Sequence, residues 1–140
     1  MFPALDISTS ALTAQRVRMD AISGNMANVS TTRNERGESS PYQPRFVIFA
    51  TDNSIPNAEG AVGVKVQSVE TAQMEPRYKY QPGHPDAIKT GPKQGYVAYP
   101  DVDITTEMVD ELEASRAYEA NVGVVEMTKN MIQQSLRIVA

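Results

Sequence analysis

The sequence predicts a mainly α protein with a small β module. Two long helices, one at each end of the chain, are expected to pair as an antiparallel coiled-coil-like stalk, with short strands inserted between them. Three observations lead there. Apolar residues recur at steps of three and four at both ends. No proline follows Pro100, and the stretch after it has one internal glycine, Gly123. The middle of the chain instead carries short alternating or β-branched runs between turn residues. The expected organisation is an N-terminal helix over 1–30, a loop and small β-rich module over 31–100, and a long helix over 101–140.

Asp6 is a candidate N-cap for the first helix, with Ser8, Thr9 and Ser10 as others nearby. Leu5, Leu12, Met19 and Met26 then recur every seven residues, and Ser8, Gln15, Ile22 and Val29 fill the alternate positions of a seam. The helix is Ala-rich, which lets a neighbour approach closely. Gly24 costs about 1 kcal/mol against Ala in a helix interior and is tolerable if something packs against it. Asn25 and Asn28 lie three apart on one face of the last turns. Their amides can bond backbone groups of a neighbour or end their own helix.

Val29 to Pro44 is polar and charged, with Gly37 and two prolines. It reads as a loop, either a flexible linker or a segment that adapts to a neighbour. Arg45 to Ala50, RFVIFA, reads as a buried strand. Thr51 to Gly60 is turn-rich. Val62 to Glu70 alternates, with Val62, Val64 and Val66 on one side and Lys65 and Gln67 on the other. Arg77 to Tyr80 and Tyr96 to Val102 are further extended segments, separated by a Pro/Gly-rich stretch in which His84 reads as a turn residue. The strands would close into a barrel or remain a hairpin-like sheet.

In the last helix, steps from Met108 pass through Glu111, Ser115, Tyr118, Val122, Val125, Lys129, Ile132, Leu136 and Val139. The spacing is that of a coiled-coil seam. About 35 helical residues make a rod about 50 Å long, more than a chain of 140 residues can cover with its own core.

Composition narrows the chemistry. The net charge is −4 and no basic block is present, which gives electrostatic nucleic-acid binding little support. Cysteine is absent, so disulfides, thiolate metal sites and thiol catalysis are excluded. With one histidine, a transition-metal site is not expected. No apolar run is long enough for a membrane span, and the N-terminus does not have the charged and apolar regions of a cleavable signal peptide. The carboxylates Asp101, Asp103, Glu107, Asp110, Glu111 and Glu113 cluster at the start of the last helix, where they suit its dipole. No phosphate-binding loop or nucleophile elbow occurs, and nothing pairs a nucleophile with a base. No enzymatic activity, cofactor or metal is expected.

Two stretches carry a family resemblance. Ser10-Ala11-Leu12-Thr13-Ala14-Gln15-Arg16, followed by Asn25-Met26-Ala27-Asn28, closely resembles the N-terminal motif of the bacterial flagellar rod, hook and related axial proteins. Ala114-Ser115-Arg116-Ala117-Tyr118-Glu119-Ala120-Asn121-Val122, with Lys129 further on, resembles their C-terminal motif. The short length, the loop with Gly37 and Pro41-Tyr42, and the entry from Pro100 to Asp103 are similar to the proximal-rod branch of the flagellar basal-body rod protein family. The resemblance covers about half the chain, at its two ends.

It implies a structural subunit exported by the flagellar type III apparatus without a cleaved signal peptide. Such a subunit polymerises with copies of itself and other rod proteins into the periplasmic rod of the basal body. It also implies terminal helices that pair, pack against neighbouring subunits and are disordered in the free monomer. The packing residues expected on this matching and on the seams are Leu12, Gln15, Met19, Ile22, Asn25, Met26 and Asn28 in the first helix. In the second they are Met108, Leu112, Ser115, Arg116, Tyr118, Asn121, Val122, Val125, Ile132 and Leu136. A different helical assembly protein, such as an export-apparatus adaptor or needle-like filament subunit, is the alternative; it would not need the strands. A small acidic hydrolase using the carboxylates of 101–113 is a third reading.

Overall fold

The computed structural model describes residues 3–54 and 60–139. Residues 55–59 of the expected turn and the side chain of Val139 lie outside that description. Helix α1 spans Pro3–Ala27 and helix α2 spans Ile104–Val139. Between them come strands β1 (Arg45–Asp52), β2 (Gly63–Thr71), β3 (Arg77–Tyr80) and β4 (Tyr96–Tyr99). Mainly helical architecture with a small β module is therefore what forms.

The element that organises the molecule is α1, the light helix, and not the longer α2. Strands β1 and β2 pack on α1, and α2 packs on it too; among the described residues α2 itself packs against no strand. Small side chains explain this. Ala14 is buried, as are Ser8, Ile22 and Asn25, and after Ala4 at the helix start only a narrow stripe through Asp6, Thr9, Thr13, Arg16, Asp20, Ser23 and Ala27 stays exposed. A helix with so little bulk can be approached from two sides.

The helices run antiparallel. Arg18 meets Asp110 and Glu113 on α2, whereas Asn25, seven residues on, reaches back to Glu107. The inward face of α2 passes through Glu107, Glu111, Ala114, Tyr118, Asn121, Val125, Thr128 and Ile132, none of them exposed. Glu111, Tyr118, Val125 and Ile132 are shared with the seam expected from Met108. The alternate members of that seam fall one residue late: Met108, Lys129 and Leu136 are exposed, and Ser115 and Val122 are half-buried at its flank. Close approach at the fully buried Ala114, together with the bonds from Arg18 and Asn25 to α2 carboxylates, turns the helix to this face.

Strands β1 and β2 form an antiparallel hairpin laid lengthwise on α1. Arg45, at its start, bonds Asn25 near one end of α1, and the Val64 amide donates to Ser10 Oγ near the other, at 3.1 Å. The register runs from Arg45 opposite Thr71 to Asp52 opposite Gly63, with a bulge between Ile48 and Phe49 that leaves Gln67 unpaired. The hairpin thus lies along α1. Strand β1 is not buried: it is half-buried at best, and Phe46 is 44% exposed, because a two-stranded sheet against one helix has an open second face. The alternation of Val64 and Val66 against Lys65 and Gln67 does appear in the burial of β2.

Strands β3 and β4 make a separate antiparallel hairpin, Arg77 opposite Tyr99 through Tyr80 opposite Tyr96. The module is therefore two hairpins and does not close into a barrel. Gly95 precedes β4 at φ 82°, a left-handed conformation, and a Cβ there would lie 2.7 Å from the Tyr80 ring. Tyr80 itself packs edge-on against Tyr96 at 5.3 Å between ring centres.

The segment between α1 and β1 is built, not slack. Arg33 and Ser39 form an antiparallel bridge around a turn in which Asn34 Oδ1 accepts from the amides of Arg36 and Glu38. Thr32 and Arg33 then bind Asp86, far along the chain. His84 sits in a turn as expected, its amide donating to Gln81 O and its carbonyl accepting from Ala87. No helix among the described residues is long and apolar enough to cross a membrane.

Candidate functional site

Asn25 is 3% exposed, and its side-chain amide uses all of its hydrogen-bonding capacity. Oδ1 accepts from the Arg45 amide at 2.8 Å and from the Tyr42 hydroxyl at 3.1 Å. Nδ2 donates to the Arg45 carbonyl at 2.8 Å and to Glu107 Oε1 at 3.1 Å. The pair of bonds to Arg45 satisfies both backbone groups of the residue that begins β1. One side chain thus joins α1, the incoming loop, the first strand and α2.

Three chain features place it there. Asn25 is in the last full turn of α1, and Asn28 ends the helix by donating from Nδ2 to the Gly24 carbonyl at 2.9 Å. The two asparagines therefore divide the roles that the sequence left open: Asn25 bonds its neighbours and Asn28 terminates its own helix. Thr31 Oγ1 donates to Asn28 Oδ1 at 3.0 Å, so the chain turns back at once. On the other side, Asp103 caps α2 by accepting the Thr105 amide at 3.0 Å, which sets Glu107 in the first turn opposite Asn25.

Burial raises the Glu107 carboxyl above its ordinary value; the bond from Asn25 opposes this, and the charge of Asp110 adds to it. Burial likewise raises the Tyr42 phenol, with the Arg45 charge opposing. Next to the node, Arg18 spans Asp110 and Glu113, each at 3.5 Å. Arg77 pairs with Asp101. Apart from Glu111, the carboxylates at the start of α2 are therefore tied within the chain, and no cluster with metal-binding geometry occurs among the described residues.

Gly24 lies beneath Tyr42. A Cβ at position 24 would meet the Tyr42 hydroxyl at 3.8 Å, an ordinary contact, so no close approach within this chain demands glycine.

A second polar joint holds the loops together. Asp86 Oδ2 accepts from Thr32 Oγ1 at 2.8 Å and Oδ1 accepts from Arg33 Nε at 2.6 Å, with the Asp86 side chain only 8% exposed. The Arg33 bond holds the Asp86 carboxyl below its usual range, against desolvation and with help from Thr32.

The remaining expected packing residues fall into two groups. Leu12, Gln15, Met19 and Met26 are half-buried on α1, and Ile22 is buried. Gln15 Oε1 and Glu111 Oε2 are buried without a hydrogen-bond partner. On α2, Ser115, Tyr118, Asn121, Val122, Val125 and Ile132 are half-buried, and Asn121 donates back to the Ala117 carbonyl at 2.8 Å. Met108, Leu112, Arg116 and Leu136 face outward. Sequence reasoning missed Tyr42, Arg45 and Glu107 as partners of Asn25, and Arg18 as the cation for the α2 carboxylates. Opposite charges at Arg18 and Asp110, on helices expected to pair, were the one available signal.

Among the described residues, a groove and a helix face are left uncovered. A groove of about 310 Å³ lies between α1, β1 and the start of α2, with Ile22, Phe46, Phe49, Glu107 and Asp110 among its lining. On the second half of α2, Val124, Met131 and Ile138 recur every seven residues with Met127 between the first two, all exposed.

The sequences of the two terminal helices match models of a known class of assembly protein. Residues 5–33 match the family model for flagella basal body rod proteins, and residues 93–138 match that for the C-terminal region of the flagellar basal body rod FlgEFG proteins. Among curated proteins, the chain is 41% identical to the flagellar basal-body rod protein FlgC of Borreliella burgdorferi, over 99% of this chain and 97% of that protein. It is 40% identical to FlgC of Bacillus subtilis over 98% and 97%, and 38% identical to FlgC of Salmonella typhimurium over 95% and 93%. The chain belongs to the FlgC family of flagellar basal-body rod proteins.

Proposed function

We propose that this chain is a structural subunit of the flagellar basal-body rod, in its proximal part, which polymerises through its terminal helices with copies of itself and with other rod proteins. The observation that carries the reading is the agreement at the two ends: both terminal helices match rod-protein family models, and the relatives align with nearly the whole chain. The structure supports it physically. Helix α2 presents large apolar side chains to solvent along its length, Met108 and Leu112 near its start and Met127, Met131 and Ile138 near its end. Such a surface is suited to burial against other subunits.

In the assembled rod the two helices pair as a coiled coil, and the packing set from Leu12 to Leu136 lines contacts within and between subunits. The working location is the periplasmic rod of the basal body. Delivery is through the flagellar type III export apparatus with the N-terminus uncleaved. The role requires no catalysis and no cofactor; the relatives are named for a structural part.

The test is genetic and biochemical. Deleting the gene in a motile host should abolish swimming, and the full chain supplied in trans should restore it. Mass spectrometry of purified basal bodies should recover the intact N-terminal peptide. A deletion strain that swims normally, with the protein missing from its basal bodies, would overturn the reading.

A further inference from the structure

We infer that α2 has a second rotational setting, turned about 50° around its own axis, in which the seam through Met108, Ser115 and Val122 faces α1 in place of the one through Glu107, Ala114 and Asn121. The inference goes beyond the rod role and does not rest on it, since it concerns a single chain.

The first observation is that the start of α2 faces against its own chemistry. Glu107 and Glu111 lie on the inward face, while Met108 and Leu112 are 57% and 59% exposed. Polar contacts hold this setting, from Asn25 to Glu107 and from Arg18 to Asp110 and Glu113. The two seams share Glu111, Tyr118, Val125 and Ile132. At about 100° per residue, exchanging Glu107, Ala114 and Asn121 for Met108, Ser115 and Val122 moves the midline of the face by only about 50°. Ser115 and Val122 already sit half-buried at its flank.

The second observation is a pair of orphaned acceptors. Gln15 Oε1 and Glu111 Oε2 are buried without a hydrogen-bond partner, a costly state for a polar group. The turn supplies each with a donor. Asn25 lies level with Glu107 in the antiparallel pair. Counting back along α1, Gln15 comes level with about residue 117 of α2, where the turn swings the Ser115 hydroxyl inward. On the other flank Asp110 and Glu113 move away from Arg18, and Glu111 crosses to the side they leave, so the guanidinium passes to it. Met108 becomes covered within the chain. Glu107 returns to water, free of the burial that raises its carboxyl.

The third observation is that little else fixes the rotation. Among the described helices and strands, α2 packs on α1 alone. Residues Pro100 to Asp103, which lead into it, have no regular structure and can absorb the turn. A helix held on one face by exchangeable partners is a bistable element. Met127 stays outward in both settings.

The chain has no cysteine, so single cysteines report directly. Met108→Cys, Asn121→Cys and Met127→Cys are labelled with a maleimide on the dilute full chain. Each is read in the native background and in Glu107→Ala/Asp110→Ala/Glu113→Ala, which removes the carboxylates that hold the present setting and keeps Arg18, Asn25 and Glu111. In the second background Met108→Cys should react at least roughly tenfold more slowly and Asn121→Cys at least roughly tenfold faster. Met127→Cys and the helix content by circular dichroism should stay the same. Unchanged rates at positions 108 and 121 would overturn the inference. So would faster rates at all three positions, which report a loosened helix, or protection of Met108→Cys that fades on dilution, which reports burial between chains. Should the triple variant lose helix, the isosteric pair Asp110→Asn/Glu113→Gln decides on the same readout, with opposite shifts of at least about threefold expected at the two positions and unchanged rates overturning the inference.

Discussion

Removing the amide at position 25 is the sharpest perturbation. Asn25→Ala deletes four hydrogen bonds and leaves the Arg45 amide, the Arg45 carbonyl, the Tyr42 hydroxyl and Glu107 Oε1 without that partner. Each bond contributes about 0.5–1.5 kcal/mol net. Arg45 is largely exposed and Tyr42 and Glu107 are half-buried, so water replaces part of what is lost. A total of about 2–3 kcal/mol is therefore expected, in the lower part of the range that four such bonds span. At about 1.4 kcal/mol per tenfold, hydrogen-exchange protection of the Arg45 amide should fall roughly 30- to 150-fold. Asn25→Asp keeps the acceptor for Arg45 and Tyr42 but turns a second oxygen toward the Arg45 carbonyl and Glu107. Its deficit should shrink as pH falls and the carboxyls protonate, whereas that of Asn25→Ala should not. Exchange mass spectrometry with residue-level fragmentation reads both. A native chain whose Arg45 amide exchanges at the unprotected rate would refute the argument, as would Asn25→Ala with unchanged protection.

Three further outcomes follow from the other polar and backbone features. Burial raises the Glu107 carboxyl, so its contribution is present below the ordinary value of 4.5 and is lost as pH rises through the raised one. Glu107→Gln, which still accepts from Asn25, should therefore raise the thermal midpoint at neutral pH, read by circular dichroism. Asp86 has the opposite sign: its clamp on Thr32 and Arg33 is present above the ordinary value of 3.8 and is lost as pH falls through the lowered one. Asp86→Asn should loosen the segment from Thr31 to Pro44 already at neutral pH, seen as faster tryptic cleavage after Arg33 and Arg36. Gly95→Ala places a methyl 2.7 Å from the Tyr80 ring at a positive φ and should cost about 2 kcal/mol or more, measured by urea unfolding with tyrosine fluorescence.

Helix existence and type were readable because the seams are long. The seven seam positions from Leu5 to Met26 lie on the covered sides of α1, the eighth, Val29, falls in the turn after it, and the helix starts at Pro3, before the Asp6 cap that the residues suggested. The rotation of α2 was not readable. Its apolar pattern favours Met108, but polar bonds to Arg18 and Asn25 select Glu107 and Asp110, and hydrophobic periodicity contains no such term. The strand β1 looked buried because its residues are apolar; what covers a strand depends on the number of layers, which the run itself does not encode. The segment after α1 looked like a linker because its residues are polar. Its order comes from Asp86, fifty-odd residues later, through long-range bonds that local composition does not reveal. Asn25 stood out by its spacing from Asn28, yet three of its four partners are backbone groups or lie in segments read as loop and strand.

The saturation of that one carboxamide has an evolutionary corollary. Two acceptor lone pairs and two N–H groups must all reach their targets from a single short stem. Glutamine carries the same head on a longer stem, aspartate has no N–H, and serine or threonine falls short on both counts. Drift at this site therefore has nowhere neutral to go, and a chain that changed it would have to rebuild the start of its first strand and the pitch of its second helix together.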